Sequence, residues 1–274
     1  MNLFVTFIRS LQIVATNIQN YMKTLITLAV ALLCAFASAA QTWEFGSDFV
    51  FTHPVAGMKN MNNAYGMTFD IAKRFEAPFS IGISGSLNNY GTRTTPQSYR
   101  FDDGSVTETD VSVSHDLYTL QLAGKYYLRN GKNISPYVSG KFGITFFQTT
   151  LTIEDPEDEF SCHPIASDIL SSDQTYLASA GAGVRVDFNA FFRRMDSQKL
   201  YFDLSVHSSQ GGAVRYMNSD YEPSQPAPED HVMSQFINTQ SQVVHEHHVG
   251  YVYKSLVNTI DYRFGVVFRI DMRN

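Results

Sequence analysis

Hydrophobic and polar residues alternate along most of the chain after Gln41, as they do in a β-strand whose two faces meet different surroundings. The C-terminal segment shows this best, because large apolar residues occupy every second position from Ile260 to Met272. Asp261, Arg263 and Arg269 lie at positions between them. The recurring pattern predicts eight strands, in residues 43–52, 65–74, 79–87, 118–126, 138–146, 184–189, 200–207 and 259–272.

The connections between these segments alternate between short and long. The short ones lie around Ala77, at Asn130-Gly131, which is a favoured two-residue hairpin turn, and at residues 194–197. The long ones cover residues 52–64, 91–114, 148–173 and 218–250. An even number of strands with this alternation predicts an all-β fold, an eight-stranded antiparallel up-and-down β-barrel with both termini on the short-turn side.

The N-terminal 40 residues have the features of an export signal. Met22-Lys23 gives a short positive start, an apolar run follows over residues 25–35, and Ala37-Ser38-Ala39 has the small residues that a signal peptidase accepts. We expect residues 1–40 to be an N-terminal extension and signal peptide, cut after Ala39 or Ala40, with Met1 and Met22 both open as the start. Residues 41–274 are then one barrel domain with four long external loops.

Composition narrows the class of protein. Charged residues make up 17% and aromatic residues 14% of the chain, a charged share below that of ordinary soluble domains. No stretch after residue 40 approaches the ~18 uncharged apolar residues of a spanning helix, so any membrane crossing there must use strands. The net charge of −6 and the lack of a basic patch argue against nucleic acid as a partner.

The polar face distinguishes a membrane barrel from a soluble, lipocalin-like barrel, whose apolar face would turn inward. It consists mostly of Gly, Ser, Thr and Asn with isolated charges, whereas a sheet surface in water is expected to be rich in Lys and Glu. We therefore predict a transmembrane barrel with apolar residues toward lipid and charges in the lumen.

Acidic and basic residues of the lumen face nearly balance, as pairing in a confined interior requires. We expect Arg185, Arg263 and Lys141 to bridge to Asp187, Asp203 and Asp261. The whole predicted network comprises Glu44, Asp48, Asp70, Arg74, Lys125, Lys141, Arg185, Asp187, Asp203, Asp261, Arg263 and Arg269.

In two segments, residues 180–188 and 262–268, the chain resembles the small outer-membrane barrels typified by OmpA-like and OmpX-like domains. The resemblance spans residues 41–274 and implies the outer membrane of a Gram-negative bacterium, with both termini in the periplasm. It also implies a monomer whose partners are outer-membrane lipid and lipopolysaccharide. The chain departs from the family in ending Asp271-Met272-Arg273-Asn274, where an aromatic residue is usual.

Eight strands enclose an interior that side chains just fill, which argues against a diffusive porin. The leading hypothesis is a non-enzymatic protein with a structural or surface-interaction role, adhesin-like or receptor-like, that meets an extracellular protein or surface ligand through its external loops. The most promising of these loops covers residues 218–250, and its first part, residues 218–230, contains three prolines. In residues 242–254 apolar and polar residues alternate again, as in a strand. We expect the latter to extend the last strand beyond the bilayer, paired with residues 213–217, and to offer an edge for protein binding.

Two functions of other classes stay open, a narrow channel for small solutes and an enzyme. His207 and Ser209 resemble the His-x-Ser pair of outer-membrane lipid A deacylases, with Glu222 as the acid. Against this, His207 and Ser209 are predicted to face the lumen, away from a lipid substrate.

Two loop segments carry residue types that bind metals. His245 and His247 point the same way on an extended strand and suit a transition metal, with His231 as a possible helper, but no third ligand stands at a diagnostic spacing. Residues 154–159 form an acidic run that lacks the glycine-bearing spacing of a calcium loop. We therefore expect no metal and no cofactor.

Overall fold

The computed structural model describes residues 40–58, 60–75, 77–100, 106–128, 133–154, 166–188, 200–219, 228–238 and 243–271. These residues form nine strands, β1 (Ala40–Pro54), β2 (Ala64–Phe75), β3 (Phe79–Arg100), β4 (Val106–Tyr127), β5 (Ile134–Ile153), β6 (Ala166–Asp187), β7 (Leu200–Asn218), β8 (Asp230–Asn238) and β9 (Val243–Asp271). In this part of the chain no helix is long and apolar enough to cross a membrane. The predicted signal peptide lies outside it.

Eight of the strands close into a barrel. Each of β1 to β7 pairs antiparallel with its neighbour along the chain, β7 pairs with β9, and β9 returns to β1. Aromatic pairs on the outer wall stabilise the pairing of β1 with β9, which closes the barrel. The ring centroids are 5.4 Å apart for Phe49 and Phe264 and 6.0 Å apart for Phe51 and Tyr262. The predicted eight-stranded antiparallel up-and-down barrel is confirmed, with the eighth predicted segment forming the C-terminal part of β9.

The long connections differ from the prediction, because the strands continue far into them. The β3–β4 ladder runs to the pair Arg100–Val106, and the β5–β6 ladder runs to Ile153–Ala166. Their β-branched residues favour extended backbone, and a ladder continues while such residues follow one another. Residues 91–100, 106–114, 148–153 and 166–173 are therefore parts of hairpin strands.

The last long connection contains a strand that the sequence analysis did not predict. Strand β8 pairs with residues 243–252 of β9. The expected pairing of residues 213–217 with β9 is confirmed by the pairs Ala213–Leu256 and Met217–Val252.

At the long-loop end the barrel wall divides into two sheets. Pairing between β6 and β7 ends at Leu177–Gly211, pairing between β2 and β3 ends at Tyr65–Asn89, and pairing between β1 and β9 ends at Pro54–Thr259. Beyond these points β3, β4, β5 and β6 form one sheet, and β7, β9 and β8 form the other. We call them the four-stranded lobe and the three-stranded lobe.

The outer wall carries an apolar belt. Its exposed large side chains include Phe45, Phe49, Met67, Phe69, Ile71, Ile83, Leu87, Leu120, Leu122, Tyr126, Val138, Phe142, Ile144, Tyr176, Leu204, Val206, Tyr262, Phe264, Val266 and Phe268. The outward face of the belt runs from Tyr118 on β4 to Leu128, the residue that follows this strand. At a rise of about 3.3 Å per residue and a tilt near 40°, this stretch spans about 25 Å along the barrel axis, which is the height of the apolar band of outer-membrane barrels.

Gly265 allows β9 to approach β1 at the closing seam. A Cβ atom there would lie 2.2 Å from the backbone oxygen of Ser47 and 2.4 Å from Oδ1 of Asp48. Gly140, on the outer face of β5, has no atom within 4 Å of such a Cβ. The two glycines are therefore matched sites for a test of the seam.

Gly265→Ala is expected to lower the stability of the barrel by about 1–3 kcal/mol, as overpacking does elsewhere. Gly140→Ala is expected to leave it unchanged. The measurement is the temperature at which each purified variant in detergent changes from folded to unfolded mobility on a gel. Equal transition temperatures for the two variants would show that the β1–β9 seam is not closed as described.

Candidate functional site

The lumen near the short turns is organised around the carboxylate of Glu44. Its Oε1 lies 2.9 Å from Nη1 of Arg185, 3.1 Å from Nη2 of Arg269 and 3.3 Å from Nη1 of Arg74. The hydroxyl of Tyr127 donates a hydrogen bond to Oε2 at 3.3 Å. Glu44 is only 2% exposed, so one buried anion joins cations from β2, β6 and β9 to β1.

A second cluster adjoins Glu44 through Arg185, whose Nε lies 3.2 Å from Oδ2 of Asp203. Lys125 bridges two aspartates, with Nζ 3.7 Å from Oδ2 of Asp203 and 3.1 Å from Oδ2 of Asp70. Lys141 lies 4.0 Å from Asp70 and donates a hydrogen bond to Ser84, which is not the pairing expected from the sequence. Arg185 and Asp203 lie on the neighbouring strands β6 and β7, whereas the contacts of Lys125 and Lys141 cross the lumen between strands that are not neighbours in the sheet.

The other members of the predicted network lie around these clusters. Arg263 contacts Asp261 at 3.3 Å, and Asp261 also accepts a hydrogen bond from Thr52 at 2.8 Å. Asp48 is buried, and its Oδ1 has no hydrogen-bond partner within the described part of the chain. Asp187 is half-buried near the short-turn end of β6, opposite Tyr201.

The interior near the long loops contains a large apolar cluster, which was not predicted from the sequence. Its side chains come from both lobes and from the β1–β2 connection, namely Met58, Met61, Ala64, Tyr90, Leu117, Phe147, Leu177, Val214, Tyr216, Tyr253 and Val257. The ring centroid of Phe147 lies 6.1 Å from that of Tyr90 and 6.0 Å from that of Tyr216. This cluster packs the two lobes against each other above the ion pairs.

The bulge between Gln210 and Ala213 explains part of this error. In β7 the even-numbered residues point outward before the bulge, whereas Val214 and Tyr216 are buried after it. An extra residue in one strand reverses which side chains face inward. The Gly211-Gly212 pair was the available signal, because glycine within a strand pattern often marks a bulge.

Little free volume separates the ionic and apolar halves of the lumen. A cavity of about 20 Å³ lies between Thr52, Asn88, Gln121 and Asp261, which is room for about one water molecule. This cavity is far too small for a water-filled channel at this level of the barrel.

His207 and Ser209 lie in the lumen, 1% and 0% exposed, as the sequence predicted. Nε2 of His207 is 2.8 Å from the hydroxyl of Ser139, whereas the hydroxyl of Ser209 lies 2.8 Å from that of Ser179 and 3.3 Å from Oδ2 of Asp261. The structure thus gives His207 a different serine as its hydrogen-bond partner. Glu222 lies outside the described residues.

The candidate metal ligands sit in the projecting part of the molecule. His245 and His247 lie on β9, opposite Phe236 and Ser234 of β8, and nothing further is described of their side chains. Among the residues that are described, no group of three or more side chains could hold a metal ion. Of the acidic run, Glu154 accepts a hydrogen bond from Ser112 at 3.1 Å, and residues 155–159 lie outside the description.

His231 and His248 flank the side of the three-stranded lobe that faces β3. Their ring centroids are 6.1 Å apart, and the ring of His248 lies 4.1 Å from that of Tyr251. Partial burial, followed by the nearby His231 and Arg93, lowers the pKa of His248 below its usual value.

No protein-family model and no curated protein matches the chain. Among solved structures it resembles Neisserial surface protein A, with 7% identity and a TM-score of 0.39 over 83% of this chain and 95% of the other. It also resembles Ail of Yersinia pestis, solved with the heparin analogue sucrose octasulfate. The two chains share 11% identity with a TM-score of 0.34, over 85% of this chain and 99% of Ail. A third similar structure is a major outer membrane protein of Thermus thermophilus, with 12% identity and a TM-score of 0.39 over 84% of this chain and 100% of the other. These resemblances are weak, and the fold assignment depends on the strand pairing of this chain.

Proposed function

We propose that the chain is an outer-membrane β-barrel protein of a Gram-negative bacterium, monomeric in the bilayer and in contact with lipid and lipopolysaccharide. The observation that carries this proposal is the belt of exposed large apolar side chains around a lumen of buried ion pairs. In water such a belt would be an association hazard, whereas hydrocarbon solvates it. The long hairpins then face the exterior and both termini face the periplasm, since short turns are typical of the periplasmic side.

We infer a non-enzymatic role in surface interaction for the two projecting lobes. They present exposed strands well beyond the belt, on a barrel that fixes their position. An enzyme acting on lipid A is less well supported, because Ser209 and His207 are enclosed in the lumen and are bonded to different groups.

The test of localisation is cell fractionation combined with protease treatment of intact cells. We expect the chain in the outer-membrane fraction, with gel mobility that changes on boiling and with cleavage confined to the projecting hairpins. Recovery from the periplasm without detergent would contradict the proposal.

The filled lumen also predicts the behaviour of the protein in planar bilayers. We expect no stable single-channel steps from purified protein, because two layers of packed side chains close the barrel. The positive control is a porin prepared in the same detergent. Reproducible steps that depend on the amount of added protein would favour the narrow-channel alternative.

A further inference from the structure

The two lobes meet at a seam between β3 and β8. These strands lie in contact, but within the described residues they do not pair with each other as strands. On its inner side the seam is held by an apolar cluster, in which Val249 of β9 packs with Val111, Val113 and Leu151 of the four-stranded lobe. The closure of this seam therefore depends on side chains rather than on a backbone ladder.

A bulge in the β8–β9 ladder places a histidine next to this cluster. The register shifts between Val232 and Met233 of β8, so Val249 is the extra residue on β9. An extra residue redirects the side chains around it. Val249 is buried in the cluster, whereas His248 lies against Tyr251, with ring centroids 4.1 Å apart. The histidine and the apolar contact are thus adjacent in the chain at the same seam.

Three side chains that can carry positive charge meet at the seam. Arg93 of β3 pairs with Val113, and directly opposed residues of a ladder lie on the same face of the sheet. His231 and His248 come from the other lobe, with ring centroids 6.1 Å apart. Partial burial lowers the pKa of His248, and the charges of His231 and Arg93 lower it further. No carboxylate is among the described groups that act on it.

The closed seam has no acceptor for an added proton on His248. Its Nε2 atom is enclosed and has no hydrogen-bond partner within the described part of the chain. Both ring nitrogens of an imidazolium are donors, so Nε2 would carry an unsatisfied N–H. The nearby carboxylate of Asp230 is exposed and accepts a hydrogen bond from the backbone N–H of His231 at 2.8 Å. Protonation of His248 is therefore costly while the lobes are closed.

We propose that the seam between β3 and β8 is an acid-sensitive joint, closed while His231 and His248 are neutral and opened when protonation places their charges beside Arg93. Histidine is the side chain that changes charge near neutral pH. Because the pKa of His248 is lowered in the closed seam, the open form binds the proton more readily. The closed form keeps its full stability above the usual histidine value of 6.5 and loses it as the pH falls below that value.

Opening of the joint changes the surface that the lobes present. The side chains of Val111, Val113, Leu151 and Val249 are each 6–7% exposed in the closed form and lose their shared contacts when the seam opens. Acidification thus converts a buried apolar cluster into an accessible one.

The test measures the distance between the lobes with two nitroxide labels, by electron–electron double resonance in lipid nanodiscs. Thr92→Cys and Lys254→Cys place the labels on exposed positions of β3 and β9. Without the predicted signal peptide, Cys162 is the remaining natural cysteine and is replaced by serine. We expect the population at the longer distance to rise about threefold or more from about pH 8 to about pH 5.5.

Replacement of the histidines separates the joint from a general effect of acid. His231→Gln with His248→Gln is expected to abolish the change, because neither side chain then titrates. Arg93→Gln is expected to reduce the change by about twofold or more, because it removes the fixed charge that opposes protonation of His248. The matched control is His53→Gln, at an exposed position of β1 away from the seam, which is expected to leave the change intact.

An unchanged distance between the two pH values, or a change that persists in His231→Gln with His248→Gln, would overturn the proposal. Equal loss of the change in His53→Gln would also overturn it. Gel mobility before and after boiling is recorded for every variant at both pH values. Loss of the heat-dependent mobility at the acidic pH counts against the joint as well, because the lobes would then separate through unfolding of the barrel.

Discussion

Glu44→Gln is expected to lower the free energy of unfolding of the barrel by about 3–5 kcal/mol, the cost of breaking a buried ion pair from one side. The substitution keeps the shape of the side chain and removes its charge. Arg74, Arg185 and Arg269 then lose the anion that they share. The measurement is equilibrium unfolding in urea from lipid vesicles, followed by gel mobility.

The matched control is Glu229→Gln, which removes a carboxylate that lies 3.9 Å from Arg215 with both side chains about half exposed. Exposed pairs contribute about 0–1 kcal/mol. If the two variants lose the same stability, the lumen is hydrated and the ion pairs are not buried as described.

Phe142→Arg is expected to cost about 2–4 kcal/mol when the barrel folds into vesicles, the range for arginine at the middle of the lipid-facing wall. Phe142 is 63% exposed and lies midway along the apolar face of β5. In a soluble barrel the same replacement of one exposed residue by another would fall within about 0.5 kcal/mol. The substitution therefore separates the two orientations.

Gln174→Arg serves as the control for this experiment, because Gln174 is exposed on the projecting part of β6, two residues beyond Tyr176 at the end of the apolar belt. We expect no measurable loss of folding there. A small effect at both positions would be inconsistent with lipid around Phe142.

The barrel was predictable because its signal is local. Strict alternation assigns each side chain to a face, and the alternation of short and long connections gives the antiparallel order. The lumen positions of Glu44, Asp70 and Arg185 follow from the same period. The membrane-facing and lumen-facing residues could therefore be assigned without knowledge of which strands meet.

The partners within the lumen were not predictable in the same way. Lys141 was expected to pair with an aspartate of β6, β7 or β9, whereas it lies beside Asp70 of β2. Which charges meet across a barrel depends on the stagger between strands, and this is a property of the closed sheet. The contacts between Glu44 and its three arginines also depend on this stagger, so they could not be predicted from the sequence.

In the projecting lobes, two features were not predicted from the sequence for a different reason. The sequence of β8 has the residues of a strand, but the three prolines before it led to its assignment to a long loop. The apolar cluster around Tyr216 was hidden by the bulge that precedes it. In both places two or three residues outweighed the longer pattern of apolar and polar positions.

The orientation of the wall is tested most directly by tryptophan fluorescence in vesicles of lipid brominated at mid-chain. Trp43 is the only tryptophan, so Trp43→Phe provides a silent background for Phe142→Trp and Phe147→Trp. Phe142 faces outward and Phe147, on the opposite face of β5, is 2% exposed. Strong quenching at position 142 and weak quenching at position 147 is the predicted result. Equal quenching, or none at position 142, would contradict a barrel with its apolar face toward lipid.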